Sequence, residues 1–217
     1  LHPVAHSFPT RRSSDLAIAM TISGKARSIL MAERLALNCM QRMSGIATMT
    51  REVVKKLEGL PTKVLDTRKT TPGIRFLEKL AVKLGGGVNH RFGLYDMMMI
   101  KDNHIDYAGG IEPAIRMADE YRRNHQLDVQ LEIEARNLRE LDEILEVDLV
   151  DRIMLDNFSF DDLRTAVSKI PEKIETEASG GINLDTVRSY AECGVDYVSM
   201  GALTHSARSL DISLKAY

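Results

Sequence analysis

From about residue 61 onward the chain alternates between two hydrophobic periods, and no other feature limits its fold as strongly. Short apolar runs, "KVLD" (63–66), "MMMIKD" (97–102), "VQLEIEA" (129–135), "RIMLDN" (152–157), "KIETEAS" (173–179) and "DYVSMG" (196–201), have the length of buried strands. Between them, near 74–84, 111–124, 137–146, 160–169 and 183–193, apolar residues recur every three or four positions, as on one face of a helix. Strand, helix, strand at this spacing calls for parallel sheet built from right-handed βαβ units, either an open doubly wound sheet or an α/β barrel. The strand ends favour the barrel. Asp66-Arg68-Lys69, Lys101-Asp102-Asn103-His104, Glu132 with Glu134, Asp156-Asn157, Glu177-Ser179 and Gly201 close successive runs with polar groups, which a barrel would gather at one mouth.

The front of the chain reads differently. Residues 1–20, opening "LHPVAHSFPTRRSSDL", show no apolar period and lack the apolar core of a signal peptide, so they are expected to be an unrelated or disordered leader. Residues 21–60 follow a helical pattern through Ile29, Leu30, Leu35, Leu37, Met40 and Met43 that is interrupted at Ser44-Gly45, predicting two linking helices with a break between them. Residues 61–217 are the expected barrel.

Composition narrows the function. A net charge of −2 provides no global field to attract nucleic acid or an acidic membrane surface, and no apolar run is long enough to cross a bilayer. Any anion must therefore be bound locally. Cys39 and Cys193 are far apart and form no Cys-x-x-Cys pair, which points to free thiols and a reducing, cytoplasmic setting.

Two opposed sets of charge carry the chemistry. Arg68, Lys69, His90, Arg91 and Lys101 sit at strand ends and in one loop, where forked and point cations would repel one another until an anion arrives. Glu132 and Glu134 alternate onto one face of a strand, and the next strand delivers Asp156 beside them; such carboxylates accept from ribose hydroxyls or hold Mg²⁺ through water. "EASGGIN" (177–183) and "SMGALTH" (199–205) join strand ends to helix starts with small residues, an arrangement suited to phosphate. The glycines of "KLGGGVNHRFG" (83–93) form no Walker loop and are expected to turn His90 and Arg91 back toward the mouth.

Taken in order, "AERLALNCMQRMSGIAT", "DTRKTTPG", "AVKLGGGVNHRFGL", "IKDNHI", "LEIEARNL", "IMLDNF", "SGGI" and "GVDYVSMGALTHSARSLDISL" resemble the quinolinate phosphoribosyltransferase (decarboxylating) family, also called nicotinate-nucleotide pyrophosphorylase. The resemblance implies an open, incomplete TIM-like α/β barrel, a homodimer or higher assembly, and a Mg²⁺-dependent reaction. Quinolinate and phosphoribosyl pyrophosphate would give nicotinate mononucleotide, pyrophosphate and CO₂ in NAD synthesis. By the family's pattern Arg68, Lys69, His90, Arg91 and Lys101 line the quinolinate pocket, and Glu132 and Asp156 sit at the ribose and the metal. Ser179, Gly180 and Gly201 receive the 5′-phosphate with Gly181 and His205 nearby, and Arg34 reaches across the dimer into the partner's site. Lys101 is also a candidate for the final proton donor. Family members carry a further N-terminal α/β domain, whose place is here taken by the leader. The rivals are another barrel enzyme, such as a related phosphoribosyltransferase or an aldolase forming an imine on Lys101, and a non-catalytic chain that only dimerises.

Overall fold

The computed structural model describes residues 4–7 and 18–216. Six strands, β3 (Lys63–Leu65), β4 (Met98–Ile100), β5 (Leu131–Ala135), β6 (Arg152–Asp156), β7 (Glu175–Ser179) and β8 (Tyr197–Ser199), form one sheet in the order β3-β8-β7-β6-β5-β4, with every pairing parallel. The helices are α1 (Ala26–Lys56), α2 (Arg75–Leu84), α3 (Asp102–Ala108), α4 (Ile111–Asn124), α5 (Leu138–Val147), α6 (Phe160–Lys169), α7 (Val187–Ala191) and α8 (Ala202–His205). β3 and β4 are the two edges and are not hydrogen-bonded to each other, so the barrel is open. Val88 partly closes the gap: its N–H donates to Val64 O at 2.9 Å and its carbonyl accepts from Asp66 N at 3.2 Å. The segment after it, which carries His90 and Arg91, thus enters between the two edges.

The strands sort their side chains by period. Ile133, Ile153, Leu155, Ala178 and Val198 face outward and join Ile115, Leu141, Ile144, Leu163, Ala166 and Val187 of the helices in one core. The alternate positions, Glu132, Glu134, Arg152, Met154 and Glu177, face inward. Barrel interiors are ordinarily filled by branched aliphatics. Here buried charge occupies that layer, an expensive choice for packing alone.

Two sequence expectations need correcting. α1 runs unbroken through Ser44-Gly45. Gly45 is required by close approach, since a Cβ there would stand 1.9 Å from the Arg208 carbonyl oxygen. The helix expected from 183 begins only at Val187, because Asn183 Oδ1 accepts from the N–H groups of Asp185 and Thr186 and holds a turn there. At the front, the expected leader lies partly outside the described residues. β1 (Val4–Ser7) pairs antiparallel with β2 (Ile18–Ile22) and with β9 (Ser213–Ala216) near the C-terminus.

Candidate active site

Parallel strands deliver all their C-terminal ends to one mouth, and the pleat decides which side chains reach it. The residues 65–73 show the principle. Leu65 turns inward and Asp66 outward, where Asp66 is fully buried against Lys79 of α2 and accepts from His90 N at 2.9 Å. Burial pulls both members of this pair toward neutrality, raising Asp66 and lowering Lys79, while each opposes the shift in the other. Asp66 is therefore an anchor. Arg68 and Lys69 follow it onto the exposed rim.

Helix residues that the sequence reading passed over hold that rim. Arg75 Nε donates to Thr70 Oγ1 and its Nη1 to Phe92 O, both at 2.9 Å, tying the strand-end loop to the 88–97 segment. Buried Glu78 accepts from Thr71 N and Oγ1 at 2.9 Å and pairs with Arg42 of α1, which also donates to Ala207 O at 2.7 Å and to Thr204 O. The mouth loops thus hang on a buried polar frame. Its signal in the sequence was Arg75, Glu78 and Lys79 on the first turns of an amphipathic helix, a pattern indistinguishable from a solvated face.

On the basic side, Arg91 is buried, its Nη1 lying 3.5 Å from Met97 O. Burial and the neighbouring Arg68 guanidinium both lower its pKa, disfavouring its charge relative to water. Among the described residues no carboxylate forms an ion pair with Arg68, Lys69 or Arg91. This is a set of cations short of an anion. Lys69 also leans on the opposite rim: a methyl group placed on Gly201 would meet Lys69 and His205 at 3.1 Å each, and Thr204 Oγ1 donates to Lys69 O at 2.8 Å. Lys101 Nζ is 3.2 Å from Glu134 Oε2.

On the acidic side the structure separates two residues that the sequence grouped. Glu134 lies at the rim, its pKa raised by burial and by Asp156 and opposed by Lys101. Asp156, half-buried, accepts from Asn157 Nδ2 at 2.6 Å. Glu132, singled out from the sequence for the ribose and the metal, is two residues lower on the same face, roughly 6.5 Å down the strand, and fully buried. Its partners are below the mouth, so the acid beside Asp156 is Glu134.

Those lower partners form a closed cluster. His90 Nε2 stands 3.0 Å from Glu132 Oε2 and 3.4 Å from Glu177 Oε2, and Arg152 Nη1 is 3.7 Å from Glu177. Arg152 is itself held by Glu175 at 2.6 Å and lies over the Tyr197 ring, 4.5 Å from its centroid. Burial lowers the His90 pKa, but the two carboxylates outweigh it and carry the value up to about 9; Glu132 is raised by burial and by Glu177. Both directions mean that His90 and Glu132 together hold a proton more tightly than they would in water. Arg91 N–H donates to His90 Nδ1 at 2.7 Å, which places the ring's own proton on Nε2 and leaves Glu132, itself raised, to hold a further one. The three side chains lie close enough to bracket a cation. With Nε2 protonated, however, the ring cannot ligate from the atom that faces the carboxylates. His90, expected to line a ligand pocket, is turned inward.

A third group completes the mouth. Ser179 closes β7 in register with Asp156, and Gly180 follows at φ +99°. A Cβ on Gly180 would meet Asn157 Oδ1 at 2.2 Å, so backbone conformation and space both demand glycine there. Gly181 opens onto free space. Arg34 is not in this group; it lies on the exposed N-terminal half of α1, 3.7 Å from Glu33.

Open barrel, a cluster of cations, a rim of acids and a glycine turn together define an α/β-barrel protein whose mouth, at the strand C-termini, is suited to an anion. Within that class, the chain belongs to the quinolinate phosphoribosyltransferase family, residues 46–215 matching the model described as "Quinolinate phosphoribosyl transferase, C-terminal domain". It is 47% identical over 208 residues to quinolinate phosphoribosyltransferase (decarboxylating) 1b of Nicotiana tabacum, covering 89% of this chain. It is 49% identical over 193 residues to a probable nicotinate-nucleotide pyrophosphorylase (carboxylating) of Bacillus subtilis. The chain spans 59% of the length of the tobacco relative and 65% of the Bacillus one. The crystal structure of NadC from Streptococcus pyogenes superposes with a TM-score of 0.85 at 41% identity, covering 98% of this chain and 75% of that one.

Proposed function

We propose that this chain is the catalytic barrel of an enzyme that transfers the phosphoribosyl group of phosphoribosyl pyrophosphate to quinolinate, with loss of CO₂. The observation that carries the reading is that Arg68, Lys69 and Arg91, with no carboxylate ion-paired to them among the described residues, share the C-terminal end of one parallel sheet with Glu134 and Asp156. Quinolinate is a dicarboxylate, and the basic side supplies guanidinium forks for it; each charge-assisted bond is worth roughly 1.5–3 kcal/mol. The turn Ser179–Gly181 with Gly201 opposite offers backbone room for a phosphate, and Lys69 and His205 stand at its edge. Lys101, paired with Glu134 and half-exposed, joins the two sides.

The reaction divides between these groups. The pyridine nitrogen forms its bond to the ribose carbon as pyrophosphate departs with the electron pair of the broken C–O bond. Positive charge grows on that carbon, and Glu134 and Asp156 are the carboxylates placed to offset it. Decarboxylation then leaves the C–C electron pair on the ring carbon beside the cationic nitrogen, which stabilises it until a proton is added. Much of the protein's part is to hold two anionic reactants in line.

Mg²⁺ fits the acidic rim: Glu134 and Asp156 each keep an oxygen beyond their present contacts, and two hard donors plus substrate oxygens suit this ion. When bound, it would neutralise the charge of the leaving pyrophosphate. Leu30, Met31 and Leu35 are exposed on the same stretch of α1 as Arg34, which supports a homodimer in which Arg34 serves the partner's mouth. Among the described residues no helix is long and apolar enough to cross a membrane, and both cysteines are free, in keeping with a reducing compartment. Lys101 is a poor imine-forming lysine, since it is ion-paired rather than desolvated.

The test is release of pyrophosphate and CO₂ from quinolinate and phosphoribosyl pyrophosphate with Mg²⁺, using nicotinate as the control acceptor. Activity on quinolinate alone is expected. Turnover of nicotinate without quinolinate would overturn the substrate assignment.

A further inference from the structure

The two carboxylates on the barrel floor have no place in the chemistry just described. Glu132 and Glu177 are both fully buried, so neither can touch a ligand in the mouth. Among the described residues only His90 Nε2 and the more distant Arg152 approach their oxygens, and neither approach has the geometry of a hydrogen bond, so the contact is one of charge and proximity. Burying two like charges side by side is costly and adds little to stability compared with aliphatic packing. A reason should lie in what they hold.

They face one end of a residue whose other polar atoms are all hydrogen-bonded. The His90 N–H donates to Asp66 Oδ1 at 2.9 Å, and its carbonyl accepts from Lys79 Nζ at 2.9 Å. Its Nε2 faces Glu132 and Glu177, and its Nδ1 accepts the backbone N–H of Arg91 at 2.7 Å. The last contact matters most, because it ties the orientation of the ring to the peptide plane from which the Arg91 side chain departs. If the ring turned about χ2, Nδ1 would leave the Arg91 N–H. The carboxylates prevent that turn by fixing which nitrogen points down.

We propose that Glu177, together with Glu132, is a positioning residue: from the closed floor of the barrel it locks the His90 imidazole, and through the ring it fixes Arg91 in the mouth where a carboxylate of the ligand is received. Only the choice of ligand rests on the function proposed above.

The experiment follows amide hydrogen exchange at Arg91 and, separately, quinolinate affinity by calorimetry, in the wild-type chain, Glu177→Ala and Glu177→Gln. Glutamine keeps the shape and an acceptor oxygen. In Glu177→Ala the Arg91 amide should exchange at least tenfold faster while the amides of Ile133 and Leu155 are unaffected, and quinolinate should bind at least tenfold more weakly; Glu177→Gln should restore most of both. Unchanged exchange at Arg91, or acceleration spread evenly over the barrel strands, overturns the proposal. Should Glu177→Ala not fold, the ring nitrogen shifts of wild-type His90 decide it: a proton on Nε2 with Nδ1 as acceptor is expected, and the opposite tautomer removes the link to Arg91. A wild-type chain that fails to bind quinolinate would remove the substrate assignment, while the exchange data would still decide the positioning role.

Discussion

Two glutamates on one strand face show how much the side-chain environment, rather than residue type, decides. Glu132 and Glu134 are equivalent to any period-two argument, and the sequence could not say which one stood at the rim, because the depth of a strand in a barrel depends on register with its neighbours. Once placed, they should fail differently. Glu134→Ala is expected to lower turnover by tenfold or more with the melting temperature nearly unchanged, since its carboxylate is at the rim with Lys101 and Asp156. Glu132→Ala should instead cost stability, roughly 3 kcal/mol, by removing the nearer carboxylate partner of buried His90. Steady-state kinetics beside urea unfolding separates the two. The same cluster sets a pH dependence. Whichever atom carries it, the extra proton is bound more tightly in the folded chain, so the stabilisation it gives is fully present below the ordinary histidine value of 6.5 and is lost as pH rises through about 9. The interval corresponds to roughly 3 kcal/mol at most, and Glu132, also raised, acts with the same sign. The urea midpoint should therefore fall between pH 6.5 and 9, and fall less in Glu177→Gln; a midpoint that rose with pH would contradict the cluster's protonation.

Among the elements, the regular strands were the legible part. All six apolar runs became β3 to β8, because a buried parallel strand needs several consecutive residues of the right character and turns on either side. α3 was missed, since "DNHIDYA" is too short and polar to show a helical period, and β9 carries no pattern that differs from a loop. The supposed break in α1 is the instructive error. Glycine in a sequence signals either freedom or contact, and only the tertiary neighbour says which. In an exposed helix Gly→Ala stabilises by about 1 kcal/mol through propensity. At Gly45 the new methyl would overlap the Arg208 carbonyl, so Gly45→Ala is expected to lower the melting temperature and loosen the 206–212 segment that packs on α1. Thermal unfolding decides between these, because a helical glycine without that close contact would give the opposite sign.

At the scale of the whole molecule, the charge pattern at the strand ends already implied a common mouth, and the parallel sheet supplies it. What the sequence left open was which charges converge, because Asp66 turns out into the frame and His90 down to the barrel floor while their neighbours in sequence face the rim. One member of the expected set remains outside this mouth altogether. Arg34 is solvent-exposed on α1 beside Leu30, Met31 and Leu35, an apolar stretch of the kind that monomers seldom leave uncovered. If a second copy covers it in a two-fold assembly, each mouth is built from one chain's Asp156 and the other's Arg34, and complementation follows from symmetry. Arg34→Ala and Asp156→Ala should each be nearly inactive alone. Mixed in equal amounts after dissociation and reassembly, half the dimers are hybrids, and each hybrid regains one intact mouth of two, so activity should return to about a quarter of wild type. Recovery at that level, measured as pyrophosphate release, would place Arg34 across the interface. No recovery from a mixture shown to contain hybrid dimers would confine Arg34 to its own chain and remove it from the site.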